Sequence, residues 1–162
     1  MTKWKASLAI GTCLVFFVSA GALALAAETT PDEYKEAVEP ICRANSAANQ
    51  RILAGVRAEV KEGKLKPAAA KFRRAAEALK QTHRELVAVP KPATEEGQLR
   101  KWLEYVKEEV ELLQKAAKAL QHGQANRARR YVVIMTATAN RANSQILPLD
   151  LRACFFHPNQ YT

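Results

Sequence analysis

The sequence predicts an all-α protein: an antiparallel, up-down-up-down four-helix bundle whose C-terminal tail is strapped back by a disulfide. Apolar residues recur at helical spacing in four segments, and each such stripe must be buried against a partner. Glycine occurs only 6 times in 162 residues, whereas alanine, leucine and long charged residues are abundant, which favours helix. The connections between the stripes are short, so neighbouring helices are expected to run antiparallel.

The most regular stripe runs from Leu99 to Leu120, with successive apolar residues four or three positions apart. This spacing is typical of a helix that packs against other helices at a shallow angle. Glu108 and Glu109 fall outside the stripe, and both are expected to face water. The members of the stripe are Leu99, Leu103, Val106, Val110, Leu113, Ala117 and Leu120.

Residues 1–27 have the pattern of an export signal. Lys3 and Lys5 give a positive start, and an uncharged apolar run follows from residue 6 to residue 27. An uncleaved membrane anchor is the alternative, because about 20 apolar residues can span a bilayer. Either interpretation places the rest of the chain outside the cytoplasm, secreted or anchored by residues 6–27. The run ends in small residues that suit a signal peptidase: Ala22, Ala24 and Ala26.

The first helix of the bundle is predicted to begin at Pro31, capped by Thr30 and Glu33, and to run to about Lys61. Pro40 lies inside it and is expected either to kink the helix or to make it restart. Its predicted inward face consists of Tyr34, Val38, Ile41, Asn45, Ala48, Ile52 and Val56.

Three further helices follow, each marked at its ends. The second begins near Lys66 and is ended by Pro90. The third is expected to be capped by Thr94 and to end at Gly123. The fourth starts directly after that glycine and ends at Pro148. The sequence therefore predicts four long helices.

The bundle accordingly spans residues 28–148, and residues 149–162 form a tail too short for another helix. In an exported protein, Cys42 and Cys154 are expected to pair. The predicted topology places the start of the first helix and the end of the fourth at the same pole, within the roughly 20 Å reach of a tail of about seven residues. Zinc is the alternative, but it needs more ligands than two cysteines and three scattered histidines offer.

No motif of an enzyme is present. Ser46 and Ser144 lack a glycine-rich elbow, and the chain has neither a phosphate-binding loop nor a Cys-x-x-Cys-His site for haem. The sequence therefore predicts a protein without catalytic residues, metal or cofactor.

A polar cluster is predicted between the helices near the disulfide pole. The run Arg43–Ser46 recurs as Arg141–Ser144, and on adjacent antiparallel helices their amides are expected to meet. Buried amides must be hydrogen-bonded, so they either set the register of the bundle or hold a small ligand. The cluster includes His83, which is interpreted either as a metal or haem ligand or as a histidine at the boundary of the core. The predicted cluster comprises Asn45, Asn49, Asn140, Asn143 and His83.

A basic pole is predicted at the opposite end. The chain has a formal charge of +9, and residues 115–130 contain five basic residues and no acidic one. Several of the cations fall in the early turns of helices, where the helix dipole disfavours them. The pole is expected to meet an anionic envelope polymer or lipid headgroups, with a solvated surface as the alternative, and the lack of interleaved aromatic residues disfavours nucleic acid. Its predicted residues are Lys71, Arg73, Arg74, Arg127, Arg129 and Arg130.

Three short runs suggest a family: Pro40–Cys42 followed by two asparagines, Lys64–Ala69, and Asn140–Asn143 ahead of Cys154. With these, the chain resembles uncharacterised secreted helical proteins of high-GC Gram-positive bacteria. The resemblance implies export and two paired cysteines, and it implies no activity. The function expected from the whole sequence is a non-enzymatic binding or scaffold module at the cell envelope. The alternative is a bundle that binds a small ligand or metal in its polar layer.

Overall fold

The computed structural model describes residues 28–158, so the predicted export signal, residues 1–27, lies outside the described part, as do the last four residues. Within residues 28–158 there are five α-helices, one short 3-10 helix and no strand. The helices are α1 (Pro31–Leu53), α2 (Val56–Lys61), α3 (Leu65–Ala88), α4 (Glu96–Gln121) and α5 (Ala125–Ile146), and the 3-10 helix is Arg152–Cys154. The predicted helical bundle, with four long helices, is confirmed.

The four long helices pack in chain order. α3 lies against both α1 and α4, and α4 lies against both α3 and α5, whereas α1 and α5 barely touch each other. The C-terminal tail packs against α1 and α5 at one end of the bundle. Within residues 28–158, the first and last long helices make few contacts with each other, and the tail packs against both.

The disulfide between Cys42 and Cys154 ties this tail to α1, as predicted. The two sulfur atoms are 2.01 Å apart and the Cα atoms 4.8 Å apart. The bond closes a loop over a sequence separation of 112 residues. In the chain-entropy model, a loop of this length contributes about 4–5 kcal/mol to stability. Such a bond is typical of an oxidising environment outside the cytoplasm.

The start of α1 follows the predicted capping box. The backbone N–H of Glu33 donates to the Thr30 hydroxyl at 3.2 Å, and the Thr30 N–H donates to the Glu33 carboxylate at 2.8 Å. The bond from the Thr30 N–H, together with a 3.0 Å bond from the Thr30 hydroxyl to the same carboxylate, lowers the pKa of Glu33. The helix runs through Pro40 without a break, so the alternative expectation, a restart at Pro40, is wrong. Pro40 has no N–H to donate to the carbonyl of Glu36. Because Glu36 is exposed, water can donate a hydrogen bond to that carbonyl oxygen instead.

The first helix ends earlier than expected. Gly55 has a φ of +74°, in the left-handed region, and it separates α1 from the six-residue α2. The prediction of one helix up to Lys61 is therefore wrong. The predicted inward face is confirmed at Tyr34, Val38 and Val56. Between them it is displaced by one to four positions, because Cys42, Asn49 and Leu53 are buried where Ile41, Asn45 and Ile52 were expected. α1 is rotated so that Cys42 faces the tail.

The third of the long helices, α4, is the centre of the core because α3 and α5 pack on two of its flanks. Its buried surface is consequently wider than a single stripe and includes Trp102 and Leu112. Thr94 does not cap this helix. Glu95 holds the N-cap position, and the Thr94 hydroxyl bonds the Glu95 side chain.

None of the helices in residues 28–158 has the length and apolar composition that crossing a bilayer requires.

Candidate functional site

Four elements lie at the end of the bundle opposite the disulfide: α2, the start of α3, the end of α4 and the start of α5. An apolar groove of about 890 Å³ lies there. It lies between α2, which follows the break in the first helix at Gly55, and the start of α5. The first helix that the sequence predicts continues to about Lys61, and such a helix does not reveal this groove.

The floor of this groove is hydrocarbon. Val56 and Val132 are buried within it, and Val133 stands at its edge with 65% of its surface exposed. Val133 thus extends the apolar floor to the surface of the protein. The apolar residues of the groove are Val56, Val60, Phe72, Leu120, Ala125, Ala128, Val132 and Val133.

Three cations line the same groove. Arg57 and Lys61 come from α2 and Arg129 from α5, and none of them forms an ion pair within residues 28–158. The two carboxylates of this region pair elsewhere: Glu59 bonds Lys71 through one of its two oxygens, and Glu62 pairs with Lys64. The groove therefore combines an apolar floor with an uncompensated positive rim.

A shallow depression adjoins the groove at the turn before α5. It shares Ala125 with the groove and is lined by Arg127 and Arg130. Gln124, at the N-cap, makes no side-chain cap to the first N–H groups of α5. Free helix-start N–H groups beside arginines favour an anion such as phosphate.

The six predicted residues of the basic pole are not equivalent in the structure. Arg73, Arg74, Arg129 and Arg130 are exposed at this end. Arg127 donates to the Tyr131 hydroxyl at 3.2 Å and lies 5.9 Å from the centre of that ring. 

Lys71 does not belong to the exposed basic surface, so its inclusion in that set is wrong. Its ammonium donates to the Ala54 carbonyl and to the Glu59 carboxylate, each at 2.6 Å. These bonds hold Lys71 over the break between α1 and α2, where the last carbonyls of α1 need donors.

The predicted polar cluster does not assemble as a unit. Asn49 donates to Asn45 at 3.2 Å, and these two do lie together. Asn140 is exposed, and Asn143 bonds the tail instead. The physical reason is the separation of α1 from α5, because the tail occupies the place where their amides were expected to meet.

His83 is also absent from the cluster. It is half-buried on α3, and burial lowers its pKa, with Lys107 adding to that effect and the Leu103 backbone opposing it. No group of three potential metal ligands occurs in the part of the chain that the structure describes.

Asn143 clamps the tail to α5. Its amide nitrogen donates to the Phe156 carbonyl, and its amide oxygen accepts from the Phe156 N–H, both at 3.0 Å. A second link joins Lys35 and Asp150 at 2.7 Å, which lowers the pKa of Asp150. The tail is thus fixed by side chains as well as by the disulfide.

A small polar chamber lies beneath this tail. Its walls include the amides of Asn45 and Asn49 and the carboxylate of Glu109, and its volume is about 40 Å³. Glu109 is only 1% exposed, so its expected position in water is wrong. Desolvation, with a contribution from Glu108, raises the pKa of Glu109 to about 8.

The heptad spacing of residues on α4 could have shown that Glu109 is buried. Trp102, Glu109 and Ala116 lie at intervals of seven and therefore share one face of the helix. Both outer members are buried. The single-stripe interpretation overlooked this second buried face.

No family model matches the chain, and neither a curated protein nor a solved structure shows significant similarity to it.

Proposed function

We propose that this protein is an exported, non-enzymatic binding module of the cell envelope that takes up an anionic lipid at its basic pole. The observation behind the proposal is the groove between α2 and α5, where an apolar floor meets three cations without ion-pair partners in residues 28–158. The acyl chain of the lipid lies on the floor, and its phosphate faces the rim and the start of α5.

The apolar part of the groove supports a hydrocarbon ligand. Its volume of about 890 Å³ falls within the ~300–1,000 Å³ typical of small-molecule sites. Each methylene removed from water contributes about 0.8 kcal/mol, so an acyl chain gains substantially from this surface. Covering Val133, which is 65% exposed, adds to that gain.

The charges support an anionic headgroup. Arg57, Lys61 and Arg129 surround the groove, and Arg127 and Arg130 lie in the adjoining depression. Arginine binds phosphate with two parallel hydrogen bonds, which suits this headgroup. A soluble anionic polymer also satisfies the charges, but it leaves the apolar floor uncovered. The lipid therefore accounts for more of the site.

Export is supported by the disulfide and by the leader pattern. Cys42 and Cys154 are bonded, which favours an oxidising compartment. Residues 1–27 carry the pattern of an export signal, which either is cleaved or remains as an anchor. An envelope lipid is accessible to the protein in both cases. The likeness to secreted helical proteins of high-GC Gram-positive bacteria stays a prediction.

Vesicle co-sedimentation tests the proposal. The protein is mixed with vesicles of phosphatidylcholine alone and with vesicles that also contain phosphatidylglycerol. We expect binding to the anionic vesicles only, and the double variant R57Q/R129Q should weaken it at least tenfold because two rim charges are lost. V133D should also weaken binding, because it places a carboxylate at the edge of the apolar floor.

The matched control is R73Q/R74Q, which removes the same charge from exposed positions of this end that do not line the groove. It should retain binding to the anionic vesicles. Equal losses in the two double variants, with V133D unaffected, would show a diffuse basic surface that meets polyanions and would overturn the lipid groove.

A further inference from the structure

The chamber beneath the disulfide contains two buried oxygens that receive no hydrogen bond. Glu109 Oε1 and Asn49 Oδ1 both lack a donor among the described residues. Glu109 is 1% exposed and Asn49 is 2% exposed, and both line the same chamber of about 40 Å³. An unsatisfied buried acceptor is costly, and a buried carboxylate more so, hence the chamber favours an occupant that donates hydrogen bonds.

We infer that this chamber binds one protonated amino group, either as free ammonium or as the end of a small primary amine. An ammonium group donates to both orphaned oxygens and, when Glu109 is ionised, neutralises its charge. None of the residues that line the chamber in the described chain is a lysine, arginine or histidine. This inference is independent of lipid binding at the opposite end of the bundle.

The walls favour an amine over a metal ion. Trp102, Phe155 and Phe156 line the chamber, and aromatic rings attract organic cations but provide no oxygen ligand. Glu109 is the only carboxylate among the described lining residues, whereas calcium and magnesium are held by several oxygens, carboxylates prominent among them. The chamber therefore offers a single charge and hydrogen-bond acceptors, which match an ammonium group.

The size of the chamber limits the occupant. A volume of about 40 Å³ holds one group of about the size of a water molecule, since a water needs at least ~10–15 Å³ on this measure. Ammonium fits, and a primary amine fits only if its carbon chain leaves the chamber. The half-buried side chains of Phe155 and Phe156 form the wall of the chamber on the tail side.

Thermal unfolding tests the inference. The protein is unfolded at about pH 8.5, where the amine and most of the Glu109 carboxylate are charged. Tetramethylammonium chloride serves as the base electrolyte, since this ion has no N–H and exceeds the chamber. Ammonium, methylammonium or sodium chloride then replaces it at constant ionic strength. We expect a saturable rise in Tm with ammonium that sodium does not produce, and the methylammonium series shows whether a substituted amine also enters.

Two variants and one control locate the effect. E109Q keeps the shape of the side chain without its charge and should lose the ammonium response, and Asn49→Leu should weaken it. E108Q changes the adjacent carboxylate, which does not line the chamber, and should retain the response. The inference is overturned if ammonium, sodium and tetramethylammonium give the same Tm in the unmodified protein, if sodium alone stabilises it, or if E109Q responds unchanged.

Discussion

The ammonium group of Lys71 donates a 2.6 Å hydrogen bond to the carbonyl of Ala54, across the break at which α1 ends. The same ammonium reaches Glu59 on α2, also at 2.6 Å. One side chain of α3 thus fixes both the end of α1 and the direction of α2. Because α2 forms one side of the groove, the shape of the proposed lipid site depends on this lysine.

We expect Lys71→Met to lower the free energy of unfolding by about 1–3 kcal/mol, because it leaves the half-buried Glu59 without its partner and the Ala54 carbonyl without a donor. Urea denaturation measures the loss. Lys64→Met is the matched control: Lys64 pairs with Glu62 on the open surface, so its removal should cost less than about 1 kcal/mol. Equal losses in the two variants would contradict a specific role for Lys71.

Gly55 determines where the first helix breaks, because its φ of +74° disfavours any side chain. We expect Gly55→Ala to destabilise the protein by about 1–2 kcal/mol. The space itself is available, since a Cβ there meets only the Lys71 ammonium at 3.8 Å. Gly97→Ala is the control: Gly97 lies in α4 with ordinary φ and open space, so alanine should be neutral or stabilising there. Chemical denaturation of both variants distinguishes backbone strain from a general effect of alanine.

The sequence predicted the four long helices because their apolar periodicity and their proline and glycine ends are local signals. It predicted the Cys42–Cys154 bond from topology and cysteine count. The break at Gly55 was missed because a glycine within a helical pattern does not reveal whether it adopts positive φ. A continuous helix was therefore the simpler interpretation, and the groove beside the break was missed with it.

The positions of the polar residues were predicted less well than the helices, because these positions depend on how the helices and the tail pack together. Asn140 and Asn143 were expected to meet Asn45 and Asn49, but whether α1 and α5 touch depends on the path of the tail, which has no periodic pattern. Glu109 was placed in water because one apolar stripe was assumed for α4. A helix with neighbours on two flanks buries a second face, and a charged residue can lie on it.

Asn143 is expected to hold the tail against α5. Asn143→Ala removes both 3.0 Å hydrogen bonds with Phe156, and we expect a loss of about 1–3 kcal/mol in the free energy of unfolding. The amide proton of Phe156 should exchange faster with solvent, which hydrogen-exchange NMR measures directly. Asn140→Ala, at an exposed position of the same helix, is the control and should leave that exchange rate unchanged. An unchanged rate in Asn143→Ala would mean that the disulfide alone fixes the tail.

Glu109 should make the stability of the protein fall as the pH rises. Burial, and to a lesser degree Glu108, raises its pKa from 4.5 to about 8 in the folded state. Between these values the folded protein holds a proton that the unfolded chain has released, so the free energy of unfolding declines from about pH 4.5 and levels off above about pH 8. E109Q has no such proton, so it should match the unmodified protein near pH 4.5 and exceed it above pH 8. Urea denaturation across this range in ammonium-free buffer measures both curves, and parallel curves would show that Glu109 remains ionised in the folded protein.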